Sequence, residues 1–126
     1  MNDQLNNNTK PKNLTDLFKM FLEIVTKLYN AVVPKSVSDR KNKNKAKMSD
    51  SEIITIYLLI QCLGLSINKG YNFLKNNFPN LVDYIDRSRF NRLVNALMTV
   101  IRAIRKHFMK FQHSIYKIVD KLSFNN

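Results

Sequence analysis

The chain predicts an all-α fold: a small helical bundle with a helix-turn-helix-like unit and one long basic amphipathic C-terminal helix, followed by a short strand remnant. Three observations carry this. From Asp86 to Phe111 the residues Phe90, Val94, Leu97, Ile101, Ile104, Phe108 and Phe111 recur at alternating steps of four and three, a helical period held over three heptads. Helix-capping residues stand ahead of four separate apolar runs. Two glycines and three prolines leave little room for hairpins.

Residues 1–12 are polar and Asn-rich, and read as a disordered leader closed by Pro11. Asn13 then caps a first helix, with Asp16 three residues on. Leu14, Leu17, Phe18, Phe21, Ile24, Val25, Leu28 and Val32 form its apolar stripe, and Pro34 stops it. Residues 35–47, KSVSDRKNKNKAK, carry five positive charges after Asp39 and read as a basic linker inside the helical domain of residues 13–113. Such a segment is either a solvated loop or an arm that contacts DNA phosphates through Lys41, Lys43, Lys45 and Lys47.

Ser49 to Glu52 has the pattern of a capping box, with Met48 placed to staple onto Ile53. The second helix, Asp50 to about Leu63, is apolar nearly all round and should be the most buried element; Gly64 is its expected left-handed cap. A third helix starts at Ser66, runs through Tyr71, Phe73, Leu74 and Phe78, and ends at Pro79. One loose turn is expected in residues 80–85. Asp86 caps the long helix, roughly 37 Å if continuous at about 1.5 Å per residue. Ile115 to Asp120, β-branched and aromatic, reads as a strand.

The formal net charge of +12 makes a polyanion the leading partner class. No Asp or Glu lies between Arg87 and Val119, and Arg92, Arg102, Arg105, Lys106 and Lys110 fall opposite the apolar stripe on a helical wheel. Part of that charge serves the helix itself, because cations near a C-terminus suit its dipole. Heavy use of Lys and Asn follows from an A/T-rich coding sequence as readily as from selection. The arginines weigh more, and five of the six lie between Arg87 and Arg105.

Several chemistries are disfavoured. Cys62 is the single cysteine, which excludes a disulfide framework and a cysteine-rich zinc site. His107 and His113, six residues apart, point about 240° apart on a helix and make a poor metal pair. Ser49, Ser51 and Ser66 read as caps rather than nucleophiles, and no glycine-rich phosphate loop is present. No signal peptide is visible and Ile53 to Leu65 is too short to span a bilayer, so a cytoplasmic location is expected, with no small-molecule substrate.

SDSEIITIYLLIQCLG, GYNFLKNNFPNL, DRSRFNRLVNALMTVIRAIRKHF and IYKIVD, in that order and spacing, resemble the N-terminal part of bacterial insertion-sequence transposases of the DDE type. The match covers roughly Met48 to Asp120, and the Ser88–Arg92 block is its most specific piece. The resemblance implies a helical domain that binds the terminal repeats of the element, followed by an RNase H-like domain that uses divalent metal such as Mg. It places Asp120 at the first metal-binding carboxylate. The sequence departs from the family there: Lys121, Leu122, Ser123 and Phe124 follow, where the family continues into a segment like Ser-Phe-Pro-Leu-Pro. The expectation is a truncated copy, with residues 114–126 the start of a missing catalytic domain, Asp120 a remnant without function, and no cofactor. Two-metal chemistry needs several convergent carboxylates.

The expected partner is double-stranded DNA. Arg87, Arg89 and Arg92 would form one contact cluster, and Arg102, Arg105 and Lys106 a second. Asn91 has the side chain that reads adenine in a major groove. Another class remains open. The three-heptad stripe can be a pairing seam, giving a homodimer or a mixed oligomer with full-length transposase that acts as a regulator. Membrane-surface binding ranks below both, and a non-functional remnant is the bland reading.

Overall fold

The computed structural model describes residues 13–33 and 48–108, together with Lys117. It shows five α-helices: α1 (Leu14–Val32), α2 (Asp50–Cys62), α3 (Ile67–Asn77), α4 (Arg87–Ala96) and α5 (Met98–Phe108), with a 3-10 turn at Pro79–Leu81. No strand occurs among the described residues. The fold is the expected small helical bundle.

Each early helix starts where its cap predicts. The Asn13 side chain accepts from the Asp16 N–H at 2.9 Å, and Ser66 Oγ from the Lys69 N–H at 3.3 Å. Both halves of the capping box form: Ser49 Oγ accepts from the Glu52 N–H (3.2 Å), and Glu52 Oε1 from the Ser49 N–H (2.9 Å). Each such cap is worth about 1 kcal/mol. Met48, ahead of the box, is buried with the core.

The centre of the fold is α2, which packs on α1, α3 and α4. Ile53, Ile54, Ile56, Leu58, Leu59 and Ile60 are all buried, so this helix presents apolar surface in every direction, as its composition predicts. At its end Gly64 takes φ 73°. The Gly64 N–H reaches the Gln61 carbonyl at 3.0 Å and the Leu65 N–H reaches that of Ile60 at 3.3 Å, the paired bonds of a Schellman cap. The chain turns sharply there, and α2 and α3 are bent by 102° across the four residues 63–66. A short glycine-containing turn between helices at about 90–120° is the helix-turn-helix arrangement.

Gly70 makes the close approach of α3 to α2 possible. A Cβ there would stand under 3.0 Å from three carbons of the Ile60 side chain. On the same side of α3, the Tyr71 hydroxyl donates to the Ile85 carbonyl at 2.5 Å and its ring lies 5.8 Å from that of Phe90. This ties the loop after α3 and the start of α4 to α3.

The single long helix expected from Asp86 is instead two, broken at Leu97. Leu97 has φ −98° and ψ 5°. Its N–H still bonds Leu93 and Val94, and its carbonyl accepts from Ile101, so the break strands no backbone group there. Packing explains it: α4 lies against α2 and α3, whereas α5 lies against α1, where Phe108 meets the edge of Phe21 at 5.0 Å. One straight rod does not serve both surfaces.

The apolar stripe itself is correct. Phe90, Val94, Leu97, Ile101, Ile104 and Phe108 are buried inside this one chain as part of its core. Phe111, Lys110, the leader, the basic linker, Asp120 and the C-terminal segment lie outside the described residues. Within the expected strand Lys117 is described, and its backbone is helical.

One interaction crosses the core without a local signal. Tyr29 near the end of α1 donates its hydroxyl to Asp50 Oδ2 at 2.6 Å, and both residues are buried. Asp50 opens α2, where a carboxylate suits the positive end of the helix dipole. This bond joins two helices separated in sequence by the linker.

Candidate nucleic-acid interface

Asp86 sets the start of α4: its carboxylate accepts from the Arg89 N–H at 2.8 Å. Phe90 and Val94 turn inward, and this places Arg87, Arg89 and Arg92 in solvent. They do not form one patch. At about 100° per residue Arg89 and Arg92 lie about 60° apart on the outer face, whereas Arg87 is about 160° from Arg89, on the opposite flank.

On α5, Val100, Ile101, Ile104 and Phe108 point into the core. Arg102, Arg105 and Lys106 share an arc of about 100° on the other side. Arg102 and Lys106 are exposed. Arg105 is half-buried, and one of its guanidinium nitrogens donates to Gln61 Oε1 at 3.1 Å. Gln61 in turn donates to the Tyr57 hydroxyl at 3.1 Å. Arg105 therefore also pins α5 to α2, a structural task absent from the sequence expectation.

Among the described residues the ion pairs are Lys27–Glu23 at 4.0 Å and Lys75–Asp83 at 3.7 Å, and none involves Arg87, Arg89, Arg92, Arg102 or Lys106. Lys41, Lys43, Lys45 and Lys47 lie outside the described residues, as does Asp120.

Asn91, the expected adenine reader, is half-buried and donates through Nδ2 to Asn68 Oδ1 of α3 at 3.1 Å. The geometry instead exposes a second polar face. Asn68, Lys69, Asn72, Lys75 and Asn76 of α3 are all exposed, opposite the buried Gly70, Tyr71 and Leu74, and α3 contains no acid. The signal was present in INKGYNFLKNN as amides and lysines at helical spacing, hidden by the general abundance of Asn and Lys in the chain.

Between α2, α3 and α4 lies a groove of about 480 Å³, lined by Tyr57, Gln61, Ser66, Asn91 and Asn95 over an apolar floor that includes Ile60 and Val94. Its polar atoms are largely those that join the helices. Cys62 lies close by in sequence, and burial pushes its thiol up to about 11, which keeps it a neutral, unreactive core-edge group. Burial and then the Asp86 carboxylate push the Tyr71 phenol above its ordinary range, in keeping with its role as a donor.

Among the described residues, no three His, Cys, Asp or Glu side chains gather in a way that would hold a metal ion. No single helix there is long and apolar enough to cross a membrane; α2 and α3 reach that length only together, and they are bent by 102°. Comparison with protein-family models, with curated proteins and with solved structures gives no match for this chain.

Proposed function

We propose that this chain binds duplex DNA, as the end-recognising part of a DDE-type transposase. The observation that carries the reading is the set of exposed cations on α4 and α5 with no ion-pair partner among the described residues. Solubility is ordinarily served by mixed charge, which lowers self-repulsion. Here the stretch from Arg87 to Phe108 holds no acid at all. Like charges kept together on helices fixed by their own core lower the cost of bringing a polyanion to them.

Duplex DNA is favoured over an anionic membrane for a specific reason. A surface-binding helix inserts its apolar face into lipid, and the apolar faces of α4 and α5 are buried in the protein. The one large exposed hydrophobic residue among those described is Tyr84, outside both helices. The helix-turn-helix angle between α2 and α3 supports the same reading. The transposase part of it rests on the order of the sequence blocks described above, and the α5 cations then act as backbone contacts beside the helix-turn-helix unit.

The test is a set of single alanine variants at Arg89, Arg92, Arg102 and Lys106, titrated against a mixed-sequence duplex over a range of salt. Each phosphate contact contributes about −0.9 to the slope of log K against log salt. Each variant should bind more weakly on every sequence and flatten that slope by about one. Four variants with wild-type affinity and slope would remove this face from the interface.

A further inference from the structure

We infer that α3, rather than the long basic segment that follows it, is the element that reads base sequence, through Asn68, Asn72 and Asn76 in the major groove. This rests on the duplex-binding reading above and assigns its specificity. Three observations lead to it. First, α3 is the second helix of the 102° pair, joined to α2 by four residues that include the left-handed Gly64. In that arrangement the second helix enters the major groove.

Second, α3 lies at the edge of the bundle. It packs on α2, α4 and the 3-10 turn through Gly70, Tyr71 and Leu74, and its opposite face is open. A helix about 10–12 Å across with its side chains fits a major groove about 12 Å wide. At Gly70 the Ile60 side chain of α2 packs directly against the α3 backbone, which keeps the two helices close.

Third, the open face has the chemistry of a reader. Asn68, Asn72 and Asn76 follow one another at steps of four and fall within about 80° of arc. An Asn amide pairs with adenine by accepting from N6–H and donating to N7. Asn68 is held in place by the amide of Asn91 at 3.1 Å, and its oxygen keeps a second lone pair for the base. Lys69 and Lys75 flank these residues; Lys75 shares its charge with Asp83 at 3.7 Å, and Lys69 forms no ion pair among the described residues. The α4 and α5 cations then supply affinity without sequence information.

The experiment is selection from a pool of duplexes with a randomised core, using the whole chain, followed by titration of the enriched and the unselected pools. The wild type should enrich sites containing adenines at fixed spacing and prefer them over unselected duplex by about ten-fold or more. Asn72→Ala and Asn76→Ala, folded by circular dichroism, should each lose the preference at one position of that site. Arg89→Ala should lose affinity for all sequences and keep the preference. If the wild type binds duplex but Asn72→Ala and Asn76→Ala select the same site with the same discrimination, α3 is not the reader. A wild type that binds duplex without enriching any site overturns the assignment and leaves the duplex-binding reading standing. Failure to bind any duplex overturns both.

Discussion

Replacing Gly70 by alanine tests the contact on which the position of α3 depends. The added methyl would stand under 3.0 Å from three carbons of Ile60. Ile60 is 1% exposed, and its side chain also forms part of the apolar floor of the groove, so its outer carbons have some room to shift. One of the three carbons is Ile60 Cβ, which rotation about χ1 does not move, so the two helices must separate. Overpacking of this kind costs about 1–3 kcal/mol. Alanine recovers up to about 1 kcal/mol over glycine in a helix interior. The upper end of the first range applies to a clash with a Cβ, which leaves a net loss of about 2 kcal/mol. With a urea m-value of about 1–3 kcal/mol/M, the midpoint should fall by about 1 M. Far-ultraviolet circular dichroism during urea titration reads this directly. Ile60→Ala alone should cost about 2–5 kcal/mol. The double variant should cost clearly less than the sum, because trimming Ile60 removes two of the three clashing carbons. Gly70→Ala at or above wild-type stability, or strict additivity in the pair, would refute the close packing of α3 on α2.

Four further outcomes follow from the core. Tyr29→Phe removes the hydroxyl that donates to the buried Asp50 carboxylate, and should cost about 1.5–3 kcal/mol in urea unfolding. Leu97→Ala should cost about 2–5 kcal/mol, and Leu97→Lys should unfold the chain; a folded monomer made by Leu97→Lys from a wild-type dimer would mean that the stripe is an intermolecular seam. The Cys62 thiol, pushed up to about 11, should resist alkylation at neutral pH in the folded chain and react readily in denaturant. Because folding raises the Cys62 and Tyr71 values, their contribution to stability is complete below the unfolded thiol value of about 8.5. It is lost as pH rises through the folded values, so urea midpoints should decline on the alkaline side of that point.

Local chemistry made much of this fold readable from sequence. Asn13, Ser49, Ser66 and Asp86 cap the helices they precede, and Gly64 closes α2, because each acts on backbone groups within four residues of itself. The apolar stripe from Phe90 to Phe108 was equally plain, since burial follows the helical period. The break at Leu97 was not, because no proline or glycine marks it; it arises from the different surfaces that α4 and α5 pack against. The same limit hid Gly70, whose role depends on Ile60 across the turn, and the Tyr29–Asp50 bond, whose partners are 21 residues apart. For the candidate interface, residue type was legible and geometry was not. Arg92, Arg102, Arg105 and Lys106 were expected on one face of one rod. Arg92 falls on α4 and the other three on α5, and Arg105 is partly engaged with Gln61. The open face of α3 has no distinct sequence signal because asparagine and lysine are common throughout the chain, and only the fold distinguishes an exposed row of them.

The most direct test of the central claim is the affinity of the purified chain for a labelled mixed-sequence duplex between about 50 and 200 mM salt, read by fluorescence anisotropy. The account predicts tight binding at the low end, and a slope of about −4 or steeper as Arg89, Arg92, Arg102 and Lys106 each displace a counterion. No binding at the lowest salt, or affinity that does not change with salt, would contradict it.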